Sequence, residues 1–219
     1  EKGIPGHRAL CLAYRGGKNS NLNDPAVAAK YYIGARGATG SVNPANKINY
    51  MNTNSISGII NYGDAKFDSQ DLKSCLEKGF AKNKDLYRAW YCCHFHQAKT
   101  EARPAIEKQL ALVSEKAKAG ELWIGLFKDV VKYRQERDTA VLKVKESSPD
   151  KIVLSVSDEM KDDIFDFPLT VKVRLDPAWK DFKAEQGGKR AGCRTVEKDG
   201  AVFGLVDIVP DKGDAVLSK

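Results

Sequence analysis

Residues 24–37, "DPAVAAKYYIGARG", predict a helix that is followed by a short strand. Asp24 is at an N-cap position, where its side chain can accept hydrogen bonds from free amides, and Pro25 suits the first helical position because it lacks a donor. Gly34 or Gly37 is expected to end the helix. The preceding run "RALCLAY", residues 8–14, is apolar and typical of a buried strand. Together these stretches predict a strand–helix–strand unit.

Residues 89–97, "AWYCCHFHQ", contain two of the three histidines and two of the five cysteines. A zinc site, a disulfide or a buried strand could each produce this cluster. Strand alternation places Trp90, Cys92, His94 and His96 on one face. No CxxC pair is present, so a structural zinc knuckle is disfavoured. A new metal site formed by His94, His96 and Cys92 stays chemically possible, and buried thiols beside a core strand are the simpler interpretation.

Further helices and one strand are predicted up to residue 138. The stretches "DSQDLKSCLEKGFAKN", "RPAIEKQLALVSEKAKAG" and "KDVVKYRQERDTA" have helical spacing or capping signals, and "LWIGLF" is typical of a strand. Alternation of strands and helices favours an α/β arrangement with parallel strands.

After residue 138 the pattern changes to short alternating strands separated by turn residues, as in "KIVLSVSD" and "FPLTVKVRL". Such a pattern predicts a small antiparallel β-sandwich domain over residues 139–219. The predicted organisation is therefore one domain at 1–138 and an accessory β domain at 139–219.

The chain is positively charged, with a net charge of +7 and a pI near 9.0. This charge favours anionic partners such as nucleic acid, a membrane surface or an acidic polysaccharide. Basic residues are mixed with acidic ones and are not interleaved with aromatic residues, which argues against nucleic-acid binding. The apolar runs are far shorter than the ~20 residues that cross a bilayer, so no membrane span is expected.

The order of these stretches resembles the polysaccharide deacetylases, carbohydrate-esterase family four, which share the chitooligosaccharide-deacetylase homology domain. "LCLAYRGGKNSNLNDPAVAAKYYIGARGATG" is similar to the family's third motif region, and "AWYCCHFH" to the strand that ends in its active-site histidine. The resemblance implies part of a distorted (β/α) barrel that removes acetyl groups from a glycan. It also implies a divalent metal, usually zinc, held by one Asp and two His, with a second Asp as base.

Two motifs of the family are missing from the chain. Neither the paired-Asp strand end nor the His-x-x-x-His pair occurs, and Arg15 stands where the family has proline. We therefore expect the C-terminal half of a barrel without its metal ligands and base, completed by a missing N-terminal half or a partner chain. Whether the chain is an enzyme by itself is left open.

Five residues are candidates for the site. The resemblance implies that His94 is the catalytic acid, with His96 as the alternative in a shifted register. It implies that the backbone N–H of Tyr14 belongs to an oxyanion hole and that Arg36 orients a carboxylate. Trp90 is a candidate for stacking on sugar rings, although core packing explains it as well.

Two functions follow from these expectations. The first is metal-dependent deacetylation of an acetylated polysaccharide or oligosaccharide by a secreted or periplasmic protein. The alternative is a non-catalytic glycan-binding or structural protein on a decayed deacetylase scaffold.

Overall fold

The structure is a computed structural model, and it describes residues 8–14, 24–38, 40–57, 70–94, 100, 103–179 and 181–219. The chain divides into two compact units, Glu1–Lys128 and Asp129–Lys219. Strand residues outnumber helix residues in the described ranges, and the larger sheets are open and antiparallel. The predicted α/β class, with part of a distorted (β/α) barrel, is therefore wrong.

The first unit combines short strands with longer helices. Its described elements are β1 (Cys11–Ala13), α1 (Asp24–Ala28), β2 (Gly34–Arg36), β3 (Ile56–Ser57), α2 (Gln70–Phe80), β4 (Cys93–His94) and α3 (Arg103–Lys118), and α4 (Phe127–Thr139) begins at its end. The strand–helix–strand prediction for 8–37 is confirmed, because β1 and β2 pair in parallel on either side of α1. Tyr14, Ala28 and Ala35 form a small buried core there.

The parallel pairs of the first unit are too short to close a barrel. β3 and β4 pair over two residues, and a single parallel bridge joins Arg36 to Thr53. The strand predicted at "LWIGLF" is absent, since residues 122–126 form no strand and Trp123 and Leu126 are exposed. The amides of Glu121 and Leu122 instead donate to the carbonyl of Lys116 and terminate α3.

The second unit contains eight described strands in two antiparallel sheets. A five-stranded sheet has the order β5-β6-β12-β8-β9, and a three-stranded sheet has the order β10-β11-β7. The strands are β5 (Val141–Ser147), β6 (Lys151–Ser157), β7 (Leu169–Arg174), β8 (Lys183–Gln186), β9 (Lys189–Arg190), β10 (Cys193–Lys198), β11 (Ala201–Ile208) and β12 (Ala215–Ser218).

One hydrophobic core joins the two sheets of the second unit. Alternate residues of β11, such as Val206 and Ile208, are buried with Leu154 of β6 and Leu217 of β12. Trp179 is 2% exposed in this core, and its indole N–H donates to the carbonyl of Pro149 at 2.7 Å. Alternation of apolar and polar residues thus specifies which strand faces turn inward.

No helix within the described ranges has both the length and the apolar character that a bilayer-spanning segment requires.

Candidate functional site

The carboxyl ends of the parallel strands in the first unit lie at the same edge. β1 runs parallel to β2, β2 is bridged in parallel to Thr53, and that segment continues into β3 beside β4. In open parallel sheets this edge is where ligands bind. It brings together side chains from three segments, namely Arg36, Ser55 and His94.

The Ser55 hydroxyl lies at the centre of this group. Its Oγ is 2.5 Å from Nδ1 of His94, and it donates to the carbonyl of Gly37 at 3.0 Å. Nη1 of Arg36 donates to the same Oγ at 3.2 Å and to the Gly37 carbonyl at 3.0 Å. Ser55 is fully buried, so it is a positioning residue and cannot be reached as a nucleophile.

The proton of Ser55 and the tautomer of His94 are linked through these contacts. The single proton of Ser55 goes either to the Gly37 carbonyl or to Nδ1 of His94. With Ser55 donating to Gly37, Nδ1 carries its own proton and donates to Ser55, which leaves the lone pair of the ring on Nε2. His94 is half-buried, so its ring is held in place while part of it stays accessible. In the tautomer with the proton on Nδ1, Nε2 is the nitrogen of His94 that can take up a proton.

Cys92 precedes β4 and behaves as a packing group. The pKa of its thiol is raised from 9.0 to about 11, mainly by burial; the neighbouring Cys93 contributes to this rise, and the charge of Arg36 opposes it. The thiol is therefore protonated at neutral pH, whereas nucleophilic and metal-binding cysteines act as thiolates. Within the described ranges, no three His, Cys, Asp or Glu side chains are placed to hold a metal ion.

Tyr14 and Trp90 are held by contacts with other residues. The backbone N–H of Tyr14 donates to the carbonyl of Arg36 at 3.1 Å and its hydroxyl to the carbonyl of Met51 at 2.8 Å. The half-buried ring of Trp90 packs against Phe127, with 5.1 Å between ring centroids. His96 lies outside the described residues. Of the predicted site residues, the structure thus brings together Arg36 and His94.

Two polar residues of this region were missed from the sequence. Ser55 and Asn43 both come from the Asn/Gly/Ser-rich stretch 38–58, which indicated only a long loop with functional potential. Asn43 is 2% exposed; its amide donates to the carbonyl of Asn54 at 2.9 Å and accepts from the N–H of the same residue at 2.8 Å. It thereby fixes the segment that carries Ser55. No local signal distinguished these two from the other polar residues of the stretch.

Comparison with known proteins connects the chain to a polysaccharide lyase. A protein from Bacillus sp. named gellan lyase is 35% identical over 231 residues, which cover 98% of this chain and 9% of that protein. The chain thus spans less than a tenth of the relative's length. No family model and no solved structure matches the chain.

This similarity overturns the deacetylase resemblance. The relative that matches almost the whole chain is named a lyase, and a lyase does not hydrolyse acetyl groups. The predicted deacetylation and the alternative of a decayed deacetylase scaffold are both wrong. Four expectations rested on that resemblance and are no longer supported by it: the zinc ion, the acetylated substrate, the missing half-barrel and the oxyanion role of Tyr14. The quoted motifs are short strand, turn and helix signals, which unrelated folds share.

Proposed function

We propose that this chain is a segment of a polysaccharide-degrading protein and that it engages an anionic polysaccharide. The observation that carries this proposal is the 35% identity to a gellan lyase over 98% of the chain. The net charge of +7 supports it, since a positive protein attracts an acidic polymer over long range. The secreted or periplasmic location stays a prediction.

We infer that the His94 site performs proton transfer in an elimination reaction. In the elimination a base removes the proton next to a carboxylate, a carbon–carbon double bond forms as the glycosidic carbon–oxygen bond breaks, and the departing oxygen takes a proton from the protonated base or from water. The reaction therefore needs a base and a cation that stabilises the developing negative charge. His94, held by Ser55, supplies the base at Nε2. Arg36 supplies the positive charge. Its guanidinium donates to the Ser55 hydroxyl, which in turn contacts Nδ1 of His94. The protonated thiol of Cys92 takes no part.

An elimination assay on the purified chain tests this inference. The substrate is gellan, a polymer that carries carboxylates, and the readout is the ultraviolet absorbance of the unsaturated sugar that elimination leaves. We expect His94→Gln to lower kcat by at least about 100-fold, the usual contribution of a general base. Cys93→Ser is the matched control, because it changes the adjacent residue of β4, whose side chain is exposed.

Ser55→Ala tests the positioning role separately from folding. Without the hydroxyl, Nδ1 of His94 loses its partner, so the pH dependence of kcat should shift while KM changes little. A wild-type chain that binds gellan but produces no unsaturated sugar would overturn the proton-transfer role and leave polysaccharide engagement in place. Equal activity of the wild type and His94→Gln would also overturn it.

A further inference from the structure

The three-stranded sheet of the second unit has an outer face that the core does not use. Val206 and Ile208 of β11 point into the core, so Phe203 and Leu205 point outward. The register places Phe203 opposite Arg174 of β7, and residues that are directly paired share a face. We call this outer face the basic face; its basic and large apolar residues are Lys172, Arg174, Arg194, Lys198, Phe203 and Leu205, and Thr170, Val196, Ala201 and Asp207 share the face.

Positive charge is concentrated on this face. Its lysines and arginines are exposed, and none of them takes part in an ion pair among the described residues. The carboxylate of Asp207 on β11 lies on the same face, and its Oδ1 accepts a hydrogen bond from the hydroxyl of Thr170 at 2.7 Å. Arg174, Arg194 and Lys198 therefore face solvent with their charges available to a ligand, whereas the ammonium of Lys172 already contacts the ring of Phe203.

The centre of the basic face is aromatic. Nζ of Lys172 lies 3.7 Å from the centroid of the Phe203 ring, which is half-buried and flanked by Leu205. Arg174 and Arg194 belong to strands on opposite sides of β11. These two strands are about 10 Å apart, which is two strand spacings, and the arginines are offset along them by two residues. The two arginines on either side of the Lys172–Phe203 pair suit a polymer that carries carboxylates, because guanidinium groups bind carboxylates in a bidentate manner.

We propose that the basic face binds an anionic polysaccharide chain, remote in sequence from the His94 site. This proposal rests on the proposed function for the choice of polymer. The positive charge of the basic face complements the carboxylates of such a sugar chain. Binding here holds the polymer on the protein and raises its local concentration at any other site of the same molecule.

Charge reversal on the full 219-residue chain tests the proposal. The double variant Lys172→Glu/Arg194→Glu should weaken binding of size-reduced gellan at least about tenfold, a change of 1.4 kcal/mol, and reduce its salt dependence. The matched control is Lys143→Glu/Lys189→Glu, which makes the same change in net charge on β5 and β9 of the other sheet. We expect the control to bind within about twofold of the wild type. Thermal unfolding confirms that both variants are folded.

The outcomes separate this proposal from the proposed function. If both double variants weakened gellan binding equally, the proposal that the basic face is the binding site would be overturned, because only the net charge would then matter. Tighter binding of a duplex nucleic acid than of gellan at the same salt concentration would overturn the choice of polymer. Elimination from a short oligosaccharide that is unchanged in Lys172→Glu/Arg194→Glu, together with weaker polymer binding, supports the basic face. Loss of elimination in His94→Gln alone concerns only the His94 site.

Discussion

Glu136 is a buried carboxylate that should make the stability of the second unit depend on pH. It lies in α4 and has no exposed surface. Its Oε1 accepts the backbone N–H of Phe167 at 3.0 Å, whereas Oε2 is buried without a hydrogen-bond partner among the described residues. A charge on this group is therefore poorly compensated.

Burial raises the pKa of Glu136 from 4.5 to about 7. The hydrogen bond from Phe167 opposes this rise, the charges of Asp158 and Asp166 add to it, and Lys132 lowers the pKa. The folded chain thus binds this proton more tightly than the unfolded chain does. The contribution of this bound proton to the free energy of unfolding is complete below about pH 4.5 and is lost as the pH rises through about 7.

The size of the effect follows from the pKa. A rise from 4.5 to about 7 corresponds to about 3 kcal/mol between the protonated and ionised forms. Glu136→Gln keeps the oxygen that accepts from Phe167 and removes the ionisation. Because burying the new amide N–H groups costs about 1 kcal/mol, we expect a net gain of about 2 kcal/mol at about pH 8.5 and none at about pH 5.

Urea unfolding of the wild type and the variant at these two pH values measures the gain. Glu185→Gln is the control, because this glutamate is exposed on β8 and its neutralisation should change the free energy of unfolding equally at both pH values. A Glu136→Gln variant that is no more stable than the wild type at the higher pH would refute the assignment of an uncompensated buried charge.

Three further substitutions test the packing. Trp179→Ala removes the largest fully buried side chain and its hydrogen bond to Pro149, so it should cost about 3–5 kcal/mol in the free energy of unfolding measured with urea. Gly204→Ala would place a Cβ 2.8 Å from Cζ of Phe182 and should cost about 1–3 kcal/mol; an unchanged melting temperature would contradict the close approach. Gly79→Ala lies in α2 with no atom within 4 Å of the new Cβ, and thermal unfolding should show a gain of about 0.5–1 kcal/mol.

Local patterns in the sequence predict the individual elements well. Alternation of apolar residues is sufficient for β11, because one face of this strand turns into the core, whereas β6 is recognised as a continuous apolar run in which Ile152, Val153 and Leu154 are all buried. Asp24 and Pro25 likewise mark the start of α1. Such signals act within a few residues of one another, so they do not depend on the rest of the fold.

The arrangement of the elements depends on contacts between distant residues, and the sequence did not predict it. "LWIGLF" has the composition of a strand, but no strand pairs with it in the described ranges and its residues follow the end of α3. Without that strand and with two-residue pairing of β3 and β4, the part of the chain that the structure describes forms no closed barrel. The contact of Ser55 with His94 joins residues 39 positions apart, so it could not be found from spacing.

The claim that this chain engages an anionic polysaccharide is tested most directly by calorimetric titration of size-reduced gellan into the purified chain. Dextran is the neutral control, and the titration is repeated as the salt concentration is raised. We expect gellan to bind at low salt, the affinity to fall as salt screens the charges, and dextran not to bind. Absence of gellan binding at low salt, or equal binding of both polymers, would contradict the claim.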